Sequence, residues 1–158
     1  YETVNSLLDH LAMRTANLLE QTGGKALAIP ASRTLDKADN RGNLSHKAVA
    51  RLAGLGWIGK NILLVNPEYG PRLRFATVLT DLELEADAPL DRDCGGCTKR
   101  TDACPAGAIK GVVAKPYPVT REECVDLAAC VAKLGEFKAE LGKDICGVCI
   151  RVCPFARV

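Results

Sequence analysis

Eight cysteines, all after residue 93 of a 158-residue chain, constrain this sequence more than anything else in it. Three stand in C-G-G-C-T-K-R-T-D-A-C-P, as Cys94, Cys97 and Cys104 before Pro105. Three more stand in C-G-V-C-I-R-V-C-P, as Cys146, Cys149 and Cys153 before Pro154. Cys124 and Cys130 lie between the runs. An iron–sulfur cubane takes four thiolates, so eight thiols fill two sites, and C-x2-C-x2-C-x3-C-P is an established way to array them. The set predicts two 4Fe-4S clusters. Two thiols separated by two residues turn toward one centre, whereas the cysteine before proline is carried to the other. On that rule Cys94, Cys97 and Cys153 share cluster I, and Cys104, Cys146 and Cys149 share cluster II.

Each set is then one ligand short. The first run carries Arg100 where its third cysteine is expected, and the second carries Lys143 where its first is expected. Cys124 and Cys130 are the natural replacements and close the count at four plus four. They lie in P-V-T-R-E-E-C-V-D-L-A-A-C-V-A-K-L, which reads as a helix with Thr120 as N-cap and Glu122 and Glu123 in its first turn. Six residues advance a helix by about 600°, so the two sulfurs diverge by about 120° and suit donation to two different clusters. Spacing alone does not say which goes where. Arg100, set beside a dianionic cluster, would stabilise its reduced form and raise its potential.

Structural zinc competes with this reading, because paired C-x2-C motifs also build four-thiolate tetrahedral sites. The two Cys-Pro endings, and the lack of a histidine at ligand spacing, favour iron–sulfur. A disulfide framework needs an oxidising compartment, and the sequence shows neither a secretory signal nor an apolar run long enough to span a membrane. A cytoplasmic, reducing location is expected. The formal charge of +2 falls to about −2 once two clusters of about −2 each are added, so basicity offers no case for a nucleic-acid partner. At 47% hydrophobic residues the chain can bury a core, expected as one domain plus a cluster-binding lobe.

Residues 3–21 place Val4, Leu7, Leu8, Leu11, Ala12, Leu18 and Leu19 at mostly helical spacing before Gly23 and Gly24, which predicts an amphipathic helix with a glycine stop. Ala26 to Ile29 reads as a strand, and residues 31–43 as a long polar loop. Ser45 caps a helix that ends at Gly54 or Gly56. Strands are expected at Ile62 to Asn66 and Arg72 to Asp81, paired with each other in one sheet. Glu83 to Asp93 reads as the linker into the cysteine-rich lobe, dividing the chain into an α/β domain at 1–90 and a lobe at 91–158.

Between the second helix and its following strand lies G-L-G-W-I-G-K-N, Gly54 to Asn61. It contains G-x-G-x-x-G but follows a helix and opens a strand, the reverse of a dinucleotide-binding loop. Two readings remain for it: a tight turn with Trp57 buried, or a loop that contacts a cofactor through Gly54, Gly56, Trp57, Gly59, Lys60 and Asn61.

The stretches A-G-L-G-W-I-G-K-N-I-L-L-V-N-P-E-Y-G, L-T-D-L-E-L-E, C-x2-C-x6-C-P-A-G-A-I and C-G-V-C-I-R-V-C-P, in that order, resemble the epoxyqueuosine reductase family, which is related to the reductive dehalogenases. The resemblance runs from about Ser45 to Phe155. It implies an α+β chain in which part of a nitroreductase-like α/β domain, the cobalamin-holding domain of the family, precedes a ferredoxin-like lobe with two 4Fe-4S clusters. K-P-Y-P-V-T-R-E-E-C resembles the family stretch that supplies the isolated ligand of cluster II, which points to Cys124, while shorter relatives place this cysteine nearer Cys130. The two stay interchangeable, with the shorter separation from Cys146 favouring Cys130 for cluster II. Where the family carries an Asp-Ser-Ala-Pro stretch with a proposed acid, this chain has D-N-R-G-N-L-S-H, so no proton donor is assigned; Asp39 lies nearby.

His10 and His46 lack partners at catalytic spacing and read as surface or capping residues, Ser45 as a helix cap, and Tyr69 as a turn residue. The expected function is an iron–sulfur oxidoreductase or redox subunit that passes electrons through two clusters toward a cobalamin. The alternative is a non-catalytic, ferredoxin-like electron carrier that forms a homodimer or docks on a larger corrinoid protein. Either implies an electron donor or acceptor protein as partner and no membrane.

Overall fold

The computed structural model describes residues 2–35, 42–115 and 120–156. In chain order its elements are α1 Glu2–Gln21, β1 Ala26–Ile29, α2 His46–Leu52, β2 Trp57–Ile58, β3 Leu64–Val65, β4 Thr77–Thr80, α3 Lys99–Asp102, α4 Arg121–Cys124, α5 Leu127–Leu141 and α6 Val148–Arg151. The mixture is α+β. Two compact units form, one from Tyr1–Gly54 with Arg74–Ala88, the other from Leu55–Leu73 with Pro89–Val158. They are not consecutive stretches, as 1–90 and 91–158 would be, because Leu55–Leu73 packs with the cysteine-bearing half.

In the first unit α1 packs on β1 and β4. Ala12 and Ala16, one helical turn apart, are the buried residues of α1, and their small side chains let the sheet approach closely. The helix stops as expected at Gly23, whose φ of 96° suits glycine. Strand β1 pairs antiparallel with β4, from Ala26 opposite Thr80 to Ile29 opposite Thr77. Ser45 caps α2 by accepting from the Ala48 N–H at 3.3 Å. His46 joins the strand ends: its ring nitrogens lie 2.7 Å from Thr77 Oγ1 and 2.9 Å from the Pro30 carbonyl. That is a structural bridge made by a half-buried ring, where a surface or capping residue was expected.

The expected pairing of 62–66 with 72–81 does not occur. Strand β3 pairs with β2 across a tight turn closed by the Gly59 N–H on the Leu63 carbonyl at 2.8 Å, and β4 pairs with β1. The glycine-rich segment supplies the nearer partner, so the second strand is left for the first unit. A second correction concerns the helix expected to carry both Cys124 and Cys130. It is two helices, α4 and α5, broken at Val125 (φ −140°, ψ 130°). Val125 makes an isolated antiparallel bridge with Ile109, and Asp126 caps α5 by accepting from the Ala129 N–H at 3.0 Å. A β-branched residue taken up by a bridge, followed by a good N-cap, ends one helix and starts another. The 120° divergence between the two thiols therefore does not apply.

Candidate metal centre

All of the centre lies within the second unit, and it is built on the β2–β3 hairpin. A Cβ at Gly56 would stand 2.2 Å from the Val65 carbonyl oxygen, so only glycine allows the strands this close. Trp57 and Val65 are 2% and 0% exposed and pack with Cys153, with Cys94 and Phe155 against them. The Trp57 ring meets Phe155 edge to face at 5.0 Å, and Arg92 lies 5.3 Å from its centroid. At the hairpin tip, Ile62 takes a left-handed φ of 57°. This turn aims Lys60 and Asn61 back into the unit.

Lys60, 6% exposed, donates from Nζ to the Cys97 carbonyl at 2.9 Å. Asn61 Oδ1 accepts from Arg100 Nη1 at 3.0 Å. Arg100 is 5% exposed; its Nη2 donates to Cys153 Sγ at 2.6 Å and its Nη1 lies 3.9 Å from Cys94 Sγ. A Cβ at Gly59 would sit 2.1 Å from Arg100 Nη1, so the glycine makes room for the guanidinium. Two buried cations thus surround the thiols Cys94, Cys97 and Cys153, and among the described residues neither has a carboxylate partner. Buried charge without a counter-charge is costly, so this arrangement calls for an anion. Asn61 Nδ2 and Trp57 Nε1, buried donors with no hydrogen-bond partner among the described residues, ask for acceptors as well.

The second thiol set is different in kind. Helix α3 contacts α6. Burial first, and then the charges of Cys104, Cys149 and Cys146, push the Cys130 thiol up. Cys124 is fully buried; burial and then Glu123 push its thiol up while Lys110 pulls it down. Lys110 N–H donates to the Cys124 carbonyl at 2.9 Å and Asp126 N–H to the Ala108 carbonyl at 2.8 Å, which ties Cys124 into the seam beside Ile109.

A 4Fe-4S cubane needs four thiolates. Beside Cys94 and Cys153 stands a guanidinium where the ligand run would have a further thiol. Among the described residues, no three His, Cys, Asp or Glu side chains close on a single metal ion. The residues named for a cofactor turn inward: Gly54 faces the Ala88 carbonyl and Gly56 that of Val65, Trp57 is buried, and Gly59, Lys60 and Asn61 hold Arg100 and Cys97. They do not fit a corrinoid. Lys143 and Tyr69 are exposed, as is His10, and Asp39 lies outside the described residues. The links from Arg92 and Phe155 to Trp57, and from Asn61 to Arg100, carried no sequence signal, because residues far apart in the chain make them.

Fold and thiols together define an α+β protein with a cysteine-rich unit. The epoxyqueuosine reductase of Bacillus subtilis (strain 168) is 35% identical over 117 residues, covering 72% of this chain and 29% of that protein. That of Listeria monocytogenes serovar 1/2a is 32% identical over 167 residues, covering 99% of this chain and 39% of the relative. A crystal structure of selenomethionine-labelled epoxyqueuosine reductase superposes with a TM-score of 0.70 at 27% identity, over 97% of this chain and 39% of that one. A catabolic reductive dehalogenase shares the fold, with a TM-score of 0.64 at 24% identity over 90% of this chain and 20% of the other. No protein-family model matches. The chain belongs to the epoxyqueuosine reductase family, and spans between 29% and 39% of the length of these two curated relatives. Among the described residues no helix is long and apolar enough to cross a membrane.

Proposed function

We propose that this chain is an iron–sulfur oxidoreductase or the redox subunit of one, with Cys104, Cys130, Cys146 and Cys149 holding a 4Fe-4S cluster and Cys94, Cys97 and Cys153 holding a second iron–sulfur cluster. The observation that carries this reading is the packing of Cys94 and Cys153, from the two cysteine runs, around the buried Arg100 guanidinium and against Trp57 and Val65. Such clusters supply one-electron transfer when bound. The chain's own part is to hold and tune them. Trp57, Val65 and Phe155 keep water from the first site, and Lys60 and Arg100 offset negative charge there. Cobalamin, which the resemblance implies, would have to sit against residues other than the glycine loop. Anaerobically purified protein should carry iron and acid-labile sulfide in comparable amounts; zinc without sulfide would overturn the proposal.

A further inference from the structure

As a refinement that rests on the iron–sulfur reading above, we infer that the first site holds a three-iron 3Fe-4S cluster on Cys94, Cys97 and Cys153, with the Arg100 guanidinium at the corner of the missing iron. Arg100 stands at the sequence position of the third thiolate of C-x2-C-x2-C-x3-C-P, and its guanidinium reaches Cys153 and Cys94, the first and last thiols of the same set. A guanidinium has five N–H donors and no lone pair to give a metal, so it cannot ligate a fourth iron. Placed at that corner, it takes the space a fourth iron would need. Cys124 is tied by its carbonyl to the Lys110 N–H, in the seam beside Ile109.

The charges agree with this assignment. Three ferric ions and four sulfides give a core of about +1, and three thiolates bring it to about −2. Buried Arg100 and Lys60 supply two positive charges against it, with no carboxylate partner among the described residues. The sulfides left exposed by the missing iron are also acceptors for the donors that now lack one. Asn61 Nδ2 and Trp57 Nε1 are two such donors, on residues that bond Arg100 or pack with Cys153. Asn61 and Gly59 lock the guanidinium in place, the first by its hydrogen bond and the second by having no Cβ.

Electron paramagnetic resonance of the anaerobically reconstituted full chain, with iron and sulfide analysis, tests this. Oxidised wild-type protein should show the spin-one-half signal of a three-iron cluster at about one spin per chain, with about seven iron and eight sulfide. Added ferrous iron and reductant should not remove that signal after reoxidation. Arg100→Cys should abolish it and raise iron to about eight. Should that variant fail to fold, Arg100→Ala should keep the signal but lose it on incubation with ferrous iron. Eight irons with no signal in the oxidised wild type, four irons with no signal, or a wild-type signal as labile to ferrous iron as that of Arg100→Ala would each overturn the assignment while leaving the iron–sulfur function standing. Absence of iron and sulfide would instead overturn that function.

Discussion

The two cysteine runs lost the same thing, one thiol to one basic residue, and the fold treats the two losses in opposite ways. Lys143 stays in solvent, and Cys130 on α5 is its proposed replacement beside Cys104, Cys146 and Cys149. Arg100 turns inward, is 5% exposed, and bonds to Cys153. A residue lost from a ligand run can therefore be replaced from elsewhere or can be replaced by itself. What decides is whether the neighbouring backbone has room for it. Gly59 and Asn61 make that room at the first site.

The sharpest break of that contrast is Cys130→Ser. It should remove about four iron per chain while leaving the first site's signal in place, as read by metal analysis and paramagnetic resonance. Loss of both signals together would mean the sites are not independent. Gly56→Ala should follow, at about 3 kcal/mol of destabilisation in denaturant titration, because its Cβ meets backbone that cannot move aside. Cys124→Ser should leave iron content unchanged and cost about 1–3 kcal/mol, since its hydroxyl would be buried where a thiol packs. A fall in iron with that variant would restore Cys124 to the ligand pool.

Smaller effects test the break between α4 and α5. Thr120→Ala removes the side chain that caps α4 and should cost about 1 kcal/mol. Glu123 closes the same capping box: hydrogen bonds from the Thr120 hydroxyl and N–H hold its carboxyl below the usual range. A depressed folded value stabilises the protein above the ordinary carboxylate pKa, and the stabilisation is lost as pH falls through the folded value. A Glu123→Gln variant should therefore flatten the acid limb of a stability–pH curve by losing stability on the neutral side, with the two proteins converging at low pH.

Much of the local structure was legible in the sequence. The glycine stop at Gly23, the Ser45 and Thr120 caps and the strand at Ala26–Ile29 are signals written in a few adjacent residues, and each formed where expected. Strand pairing was not legible. Whether Leu64–Val65 meets Trp57–Ile58 or Thr77–Thr80 depends on which loop closes first and which surface needs cover. The break at Val125 was hidden for the same reason, since its cause is Ile109, sixteen residues away in the chain and adjacent in space.

By themselves the residues determined the number of thiols, the two runs, the Cys-Pro endings and the replacement of one cysteine in each run by a base. Thiolate chemistry needs particular atoms at particular spacings, and those are properties of sequence. Only the tertiary structure decided that the stretch carrying Cys124 and Cys130 is two helices, that Cys124 is tied into the seam beside Ile109, and that Arg100 is buried among the first set's sulfurs. Which thiols meet depends on how distant segments pack, and whether a charge can be buried depends on the donors, acceptors and glycine gaps that packing brings around it.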